Sequence, residues 1–371
     1  MTWAPGGNLP PLLAAAALLR ARGHEVEVLA SDATRAAAER AGFPILRYTR
    51  AAAPDPRVAF ERRAEALMAA AAGLEIALDV HDRLRERRAD LALVDCMLPA
   101  AAAAAEATGT PAASLVHFLY GPARRLMLDN GITWTTDVDS LNATRRALSL
   151  APLGGPAAWE SCDLVLVTAP RWFDLDVGFP AKVVHAGPLG IRATASRARV
   201  RPPRVLLSFS TTVMEGQLAA VSRACAAIRG TGLQAVLTLG PAVAREAVDV
   251  PPDVEILEWA DHDELLATCA AVVTHAGLGT TLRALAHGVP LLMLPLGRDQ
   301  HVNAARVSEL GAGIRLAADD TPEQIRDALT ALLEDPGFSA SAARLAKRMA
   351  DDRPDGRAAD ALEHVARARH G

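Results

Sequence analysis

Thr274-His275-Ala276-Gly277-Leu278-Gly279-Thr280-Thr281 joins a strand pattern, Ala271 to Thr274, to a helical one, Thr280 to His287. A strand that turns through glycine into a helix gathers unbonded backbone N–H groups and the positive end of the helix dipole at one spot. That spot suits an anion. Gly277 and Gly279 let backbone approach a phosphate closely, and His275 and Thr280 add donors. A plain strand–helix connection can use the same glycines. The histidine at the strand end and the threonine pair favour the anion.

Three more loops lie around this one. Pro295-Leu296-Gly297-Arg298-Asp299-Gln300 follows the strand Leu291 to Leu294 and precedes a helix from Val302 to Leu310. Asp299 and Gln300 place an acceptor beside a group that both accepts and donates, as adjacent sugar hydroxyls require; Asp299 also suits a helix N-cap. Glu258-Trp259-Ala260-Asp261 offers an indole that can stack a nucleobase or fill a core. Ser208-Phe209-Ser210-Thr211-Thr212 offers hydroxyls, or a local capping run. All four loops sit at the carboxyl ends of strands in one stretch of chain. Their order suits a base, a diphosphate and a sugar.

The alternation continues outward over all 371 residues. At about 150 residues per domain the length suggests two domains. The first, 1–190, runs through a Gly-rich turn Gly6-Gly7-Asn8-Leu9-Pro10-Pro11, a helix to Arg22, and strands at 26–30, 45–48, 91–95, 112–116 and 164–168. Residues 191–203 are basic, aperiodic and proline-containing, and read as a linker. The second domain, 204–350, repeats the pattern, and 351–371 is helical. The sequence therefore predicts an α/β protein of two Rossmann-like, doubly wound domains facing a cleft. Residues 120–160 lose periodicity and read as a long irregular stretch. Only Met1 to Pro5 precede the first Gly-rich turn, and a proline does not fit a central strand. The opening strand is thus expected to be truncated, with a true start upstream or an unpaired slot in the sheet.

Composition removes several classes of function. Lys plus Arg number 39 against 43 Asp plus Glu, a net charge of −4, so no broad basic field exists to hold nucleic acid. No apolar run reaches the ~18 residues of a membrane span, and no basic segment precedes Pro11 to Leu19 as a signal peptide requires. A cytoplasmic protein, monomeric or homodimeric, is expected. Cys96, Cys162, Cys225 and Cys269 lie far apart without a CxxC pair, which suits a reducing compartment and argues against a zinc site.

The segment from Trp259 to Gly313 resembles the donor-binding signature of inverting GT-B glycosyltransferases of family 1, most of all the bacterial enzymes that glycosylate antibiotics. It contains Thr-His-Ala-Gly-Leu-Gly-Thr, Ala-Leu-Ala-His-Gly-Val-Pro and Arg-Asp-Gln-His-Val-Asn-Ala. The likeness is strong over roughly 200–320 and weaker through Gly6–Pro11 and Arg22-Gly23-His24-Glu25-Val26. It implies a UDP- or TDP-sugar donor in the C-domain, a small lipophilic acceptor in the N-domain, a C-terminal helix crossing back, and no cofactor. By position, Trp259 would stack the base and Thr211 would line the nucleotide loop. His275 would meet the α-phosphate, Gly279 and Thr280 the β-phosphate, and Asp299 and Gln300 the sugar. Ala276 stands where the pattern often has glycine.

The resemblance also implies a histidine base in the first Gly-rich loop, braced by an aspartate. Here Asn8 holds the histidine's place, and asparagine has no usable basicity. Asp95, ending Leu91-Ala92-Leu93-Val94-Asp95, matches the bracing acid. Asp95 or His117, which follows Ala113-Ser114-Leu115-Val116, is the candidate base, with Asn8 as an orienting group. His24 and His287 read as structural. No DxD cluster appears in a suitable loop, so metal independence is expected. Two alternatives stay open: a nucleotide-sugar epimerase of the same fold, and a non-catalytic nucleotide-sugar-binding partner of another transferase.

Overall fold

The computed structural model describes residues 1–2, 6–52, 58–130, 137–154, 160–192, 202–240, 243–258 and 260–368. The chain divides into two compact units. Met1–Val58, Arg62–Gly190 and Arg353–Gly371 form the first, and Ala59–Glu61 with Ile191–Asp352 form the second.

In the first unit the strands are β1 (Val28–Ala30), β2 (Ile45–Arg47), β3 (Ala92–Asp95), β4 (Ala112–Val116), β5 (Leu164–Val167) and β6 (Val183–His185). β1 pairs with β2, and β3-β4-β5-β6 form a second set, all parallel. Met1 and Thr2 stand between the two sets. Thr2 N–H donates to Leu29 O, while the Met1 amine donates to Leu93 O and Met1 O accepts from Asp95 N–H. The chain order therefore reverses beside β3, and the crevice of a doubly wound sheet opens at such a switch point.

Small side chains set the spacing of this unit. The helix Pro99–Thr108 buries Ala100 through Ala105 and ends at left-handed Gly109. It lies with the helix Leu74–Glu86 on one face of the sheet, around Ile76, Val80, Val94 and Leu98. On the other face Leu12 and Ala15 meet Leu115, Leu166, Ala358 and Leu362. The last two come from the terminal helix Pro354–Arg367. Arg22–Asp360 and His24–Glu363 pairs, 2.6 and 3.0 Å, fasten it.

The second unit has β7 (Arg204–Ser208), β8 (Gln234–Thr238), β9 (Val254–Leu257), β10 (Cys269–Thr274), β11 (Leu291–Met293) and β12 (Gly313–Arg315). The order is β12-β11-β10-β7-β8-β9, wholly parallel. The switch point falls between β7 and β10. No helix among the described residues is long and apolar enough to cross a membrane.

The stretch 120–160 departs from expectation. Helices Tyr120–Asn130 and Val138–Ala147 occupy much of it. The second begins at Asp137, whose side chain accepts from Ser140 N–H, but it buries only Leu141 among apolar residues. Its remaining inward side chains are polar: Thr144 donates to Ala72 O, and Arg145 pairs with Glu106 at 2.7 Å. An apolar periodicity has little to register in such a helix.

Candidate functional site

In the second unit, β10 ends at Thr274 and His275, and the helix Leu278–Ala286 starts from Gly277. Gly277 offers no capping side chain, so the first amides of the helix are left for an anion. Ala276 makes the corner at φ 65°. A side chain there strains the backbone, which is why related turns favour glycine. Gly277 is needed for a different reason: a Cβ would come within 2.5 Å of His275 Nε2. Gly279 faces open space instead. His275 is 7% exposed. Burial drives it down to about 4, with Arg298 adding to the fall and Asp299 opposing it. The imidazole is neutral at physiological pH and carries one N–H. Phe209, leaving β7, stacks near it with ring centroids 6.5 Å apart.

Asp299 and Gln300 are used differently from one another. Gln300 is 2% exposed. Its Oε1 accepts from Leu296 and Gly297 N–H at 2.8 and 3.2 Å, and its Nε2 reaches Met214 Sδ at 3.1 Å. Its amide thus folds its own loop and joins it to the loop after β7. Asp299 is half-buried and makes no N-cap bond. Its Oδ2 accepts from Asn303 Nδ2 at 3.0 Å, and the same Nδ2 donates to Ala276 O at 3.0 Å. Asn303 therefore ties the anion turn to the acid that the resemblance assigns to the sugar. The sequence reading passed over it; its position one helical turn after Asp299 was the available signal. Thr211 is exposed, and its Cγ2 is 3.5 Å from a Cβ built on Gly240 at the end of β8. Thr280 falls within the first turn of the helix after Gly277. Trp259 lies outside the described residues.

In the first unit, Asp95 ends β3 at the switch point and is 1% exposed. Asn8 Nδ2 donates to its Oδ2 at 2.5 Å and to Thr2 Oγ1 at 3.1 Å. Met97 N–H donates to Oδ1 at 3.0 Å. His117 Nε2 is 3.4 Å from the same Oδ1. The structure thus brings Asn8, Asp95 and His117 together around one carboxylate. Burial pushes Asp95 up, but His117, Met97 N–H and Asn8 outweigh it and hold the carboxyl below its usual range. Burial opposes charge on His117 too, yet the Cys96 sulfur and the Asp95 carboxylate push it up to about 10. His24 pairs with Glu363, and His287 Nε2 lies 2.9 Å from Asp263, so both fasten helices.

Parallel strands in both units, with polar groups at each switch point, define a doubly wound class of α/β fold. Residues 226–363 match the family described as Erythromycin biosynthesis protein CIII-like, C-terminal domain. The chain is similar to Elloramycin glycosyltransferase ElmGT of Streptomyces olivaceus, 33% identical over 61% of this chain and 58% of the relative. It is similar also to 3-alpha-mycarosylerythronolide B desosaminyl transferase of Saccharopolyspora erythraea, 30% identical over 70% of this chain and 65% of the relative. The aligned chain thus spans about three fifths of the length of these curated relatives. Among solved structures, glycosyltransferase VinC in complex with dTDP superposes with a TM-score of 0.74 at 23% identity, covering 100% of this chain and 99% of VinC. The fold is that of GT-B glycosyltransferases, the stretch Trp259 to Gly313 lies inside the matched residues, and the curated relatives that the chain resembles are glycosyltransferases.

Proposed function

We propose that the chain transfers a sugar from a nucleoside diphosphate donor to a small lipophilic natural product, with inversion and without a metal. The observation that carries this reading is the turn from β10 into the helix Leu278–Ala286, with neutral His275 beneath it. As the glycosidic bond breaks, negative charge grows on the departing diphosphate. Aligned amides at a helix N-terminus and one imidazole N–H stabilise that charge without any proton transfer. Asp299, half-buried and steadied by Asn303, would accept from a sugar hydroxyl. Thymidine diphosphate is the favoured leaving group, since VinC was solved with it.

The acceptor loses a proton as its oxygen attacks. Asn8 has no basicity to offer and orients Asp95 instead. His117, pushed up to about 10, is already protonated at neutral pH. Asp95 is therefore the base, with His117 as its counter-charge. Acceptors of lowered hydroxyl pKa, such as phenols, demand least from a carboxylate of this kind.

The test incubates the chain with UDP- and TDP-sugars and a panel of phenolic and macrocyclic acceptors, read by mass spectrometry and by the anomeric coupling of the product. A hexose-sized increment with inverted anomeric configuration supports the proposal. A donor of unchanged mass and altered stereochemistry would make the chain an epimerase. Thermal stabilisation by TDP with no product across the panel would make it a binding partner.

A further inference from the structure

Asp95, Cys96 and His117 each turn one ligand atom into a common space, and these atoms lie within 4.8 Å of one another. Topology makes the cluster. β3 and β4 are parallel neighbours with Asp95 opposite Leu115, and Cys96 N–H bonds to Leu115 O. The chain leaving β3 and the chain leaving β4 therefore emerge side by side.

Three features suit a cation. The first is burial: Cys96 is 3% exposed, and the side chains of His117 and Asp95 are 10% and 2% exposed. The second is an unsatisfied group. His117 Nε2 is sealed from solvent without a hydrogen-bond partner, and its 3.4 Å approach to Asp95 Oδ1 lies outside bonding geometry. A buried nitrogen held by a long charge contact alone, with no hydrogen bond, costs free energy that a bound cation would recover. The third is donor chemistry. One imidazole nitrogen, one sulfur and one carboxylate oxygen favour a borderline cation of the zinc class over magnesium or calcium, which take oxygen. Asn8 and Thr2 on the far carboxylate oxygen, with Met97 N–H on the near one, hold the acid as outer partners hold metal ligands.

We propose that Asp95, Cys96 and His117 bind one zinc-class divalent cation, and that the bound cation inhibits the chain. On binding, the Cys96 thiol and the protonated His117 ring each give a proton to solvent, so that a neutral ring nitrogen and a thiolate meet the cation. Asp95 carboxylate and Cys96 thiolate then balance the two positive charges, and a fourth position stays open to water. The cation occupies the carboxylate that would take the acceptor's proton. Inhibition rests on the proposed transferase reading; binding does not.

Binding is tested on the metal-free chain with Co2+ and Zn2+. One equivalent of Co2+ should bind with a thiolate-to-cobalt charge-transfer band, and Zn2+ should displace it. Cys96→Ala should abolish the band and weaken zinc binding by more than ~100-fold, the scale at which even outer partners matter. His117→Ala should weaken it similarly, while the metal-free melting of Cys96→Ala stays close to that of the wild type. A wild type without the band at micromolar metal, or a Cys96→Ala chain that keeps it, overturns the site. Zinc should also stop turnover reversibly, with chelator restoring it, and whatever turnover Cys96→Ala keeps should be insensitive to zinc. Stoichiometric zinc on Cys96 with undiminished turnover would overturn the inhibition. Should no acceptor be glycosylated at all, the cobalt spectrum still decides the site.

Discussion

Two histidines close parallel strands in this chain, His117 after β4 and His275 after β10, and their surroundings drive them in opposite directions. His275 is buried and His117 nearly so, which disfavours charge on either. At His275 burial wins and the ring falls to about 4. At His117 the Cys96 sulfur and the Asp95 carboxylate win, and the ring rises to about 10. A strand's carboxyl end therefore sets where a histidine sits, while the balance of burial and neighbouring charge sets its protonation. On the proposed reading, the neutral ring would meet a phosphate whose charge is still growing. The charged ring suits steadying a carboxylate that is already ionised.

The largest expected effect separates the members of the first pair. Asp95→Asn should cut turnover by ~10²–10⁴ with donor saturated, the span of a lost general base. His117→Gln should cost less, because it removes only the counter-charge. Steady-state rates decide it. Wild-type rates in Asp95→Asn remove the base from Asp95, and a His117→Gln loss as large as that of Asp95→Asn transfers the role to His117.

Next in size is the pH response of His275. Its folded pKa of about 4 lies below the unfolded value of 6.5, so the unfolded chain takes the proton first as pH falls. Stability from this ring is complete above about 6.5, declines toward about 4 and is flat below. The span is worth about 3 kcal/mol. Urea melts of wild type and His275→Gln across this window should converge as pH falls. Parallel curves would mean the ring is not held neutral. His117 predicts the opposite slope: its share is complete below about 6.5 and is lost as pH rises toward about 10.

Gly277→Ala should follow, with kcat/KM for donor falling ~10–100-fold through a displaced His275, as small misplacements do. Gly279→Ala is its control, since its Cβ meets nothing within 4 Å. Gly279→Ala should keep the wild-type melting temperature, and any loss of donor affinity it shows measures how near the phosphate comes. Smallest is Ala276→Gly, which relieves a side chain at φ 65° and should stabilise the chain by about 1 kcal/mol in chemical denaturation.

Much of the fold was legible because both units alternate strand and helix, and the two apolar periods differ. The helix Val138–Ala147 escaped because its buried face is largely polar. In the second unit His275, Ala276 and Gly277 are contiguous, so local spacing sufficed to bring them together as a candidate site. Asn303 was missed because its partner Ala276 lies in another loop, across a strand and a helix. Gln300 stood out in sequence as a sugar-contact candidate, but its inward turn, which depends on Met214 from the loop after β7, was not legible there. The same limit applied to cysteine. The Asp95–Leu115 register, which spacing along the chain does not show, is what places Cys96 beside His117.

The helix Pro354–Arg367 places Ala358 and Leu362 in the same cluster as Leu12 and Leu115. On the ribosome this imposes an order of events. The first unit's sheet is complete in sequence by Gly190, but the side chains that close one face of its core are made only after Arg353. At ~5–20 residues per second, synthesis of the intervening ~160 residues takes roughly 10–30 s. For that interval Leu12, Leu115 and Leu166 lack part of their cover, while the second unit is made as an almost unbroken run and can fold first. Residues synthesised early are thus among the last to finish packing, and the nascent chain depends longest on whatever shields an exposed apolar face.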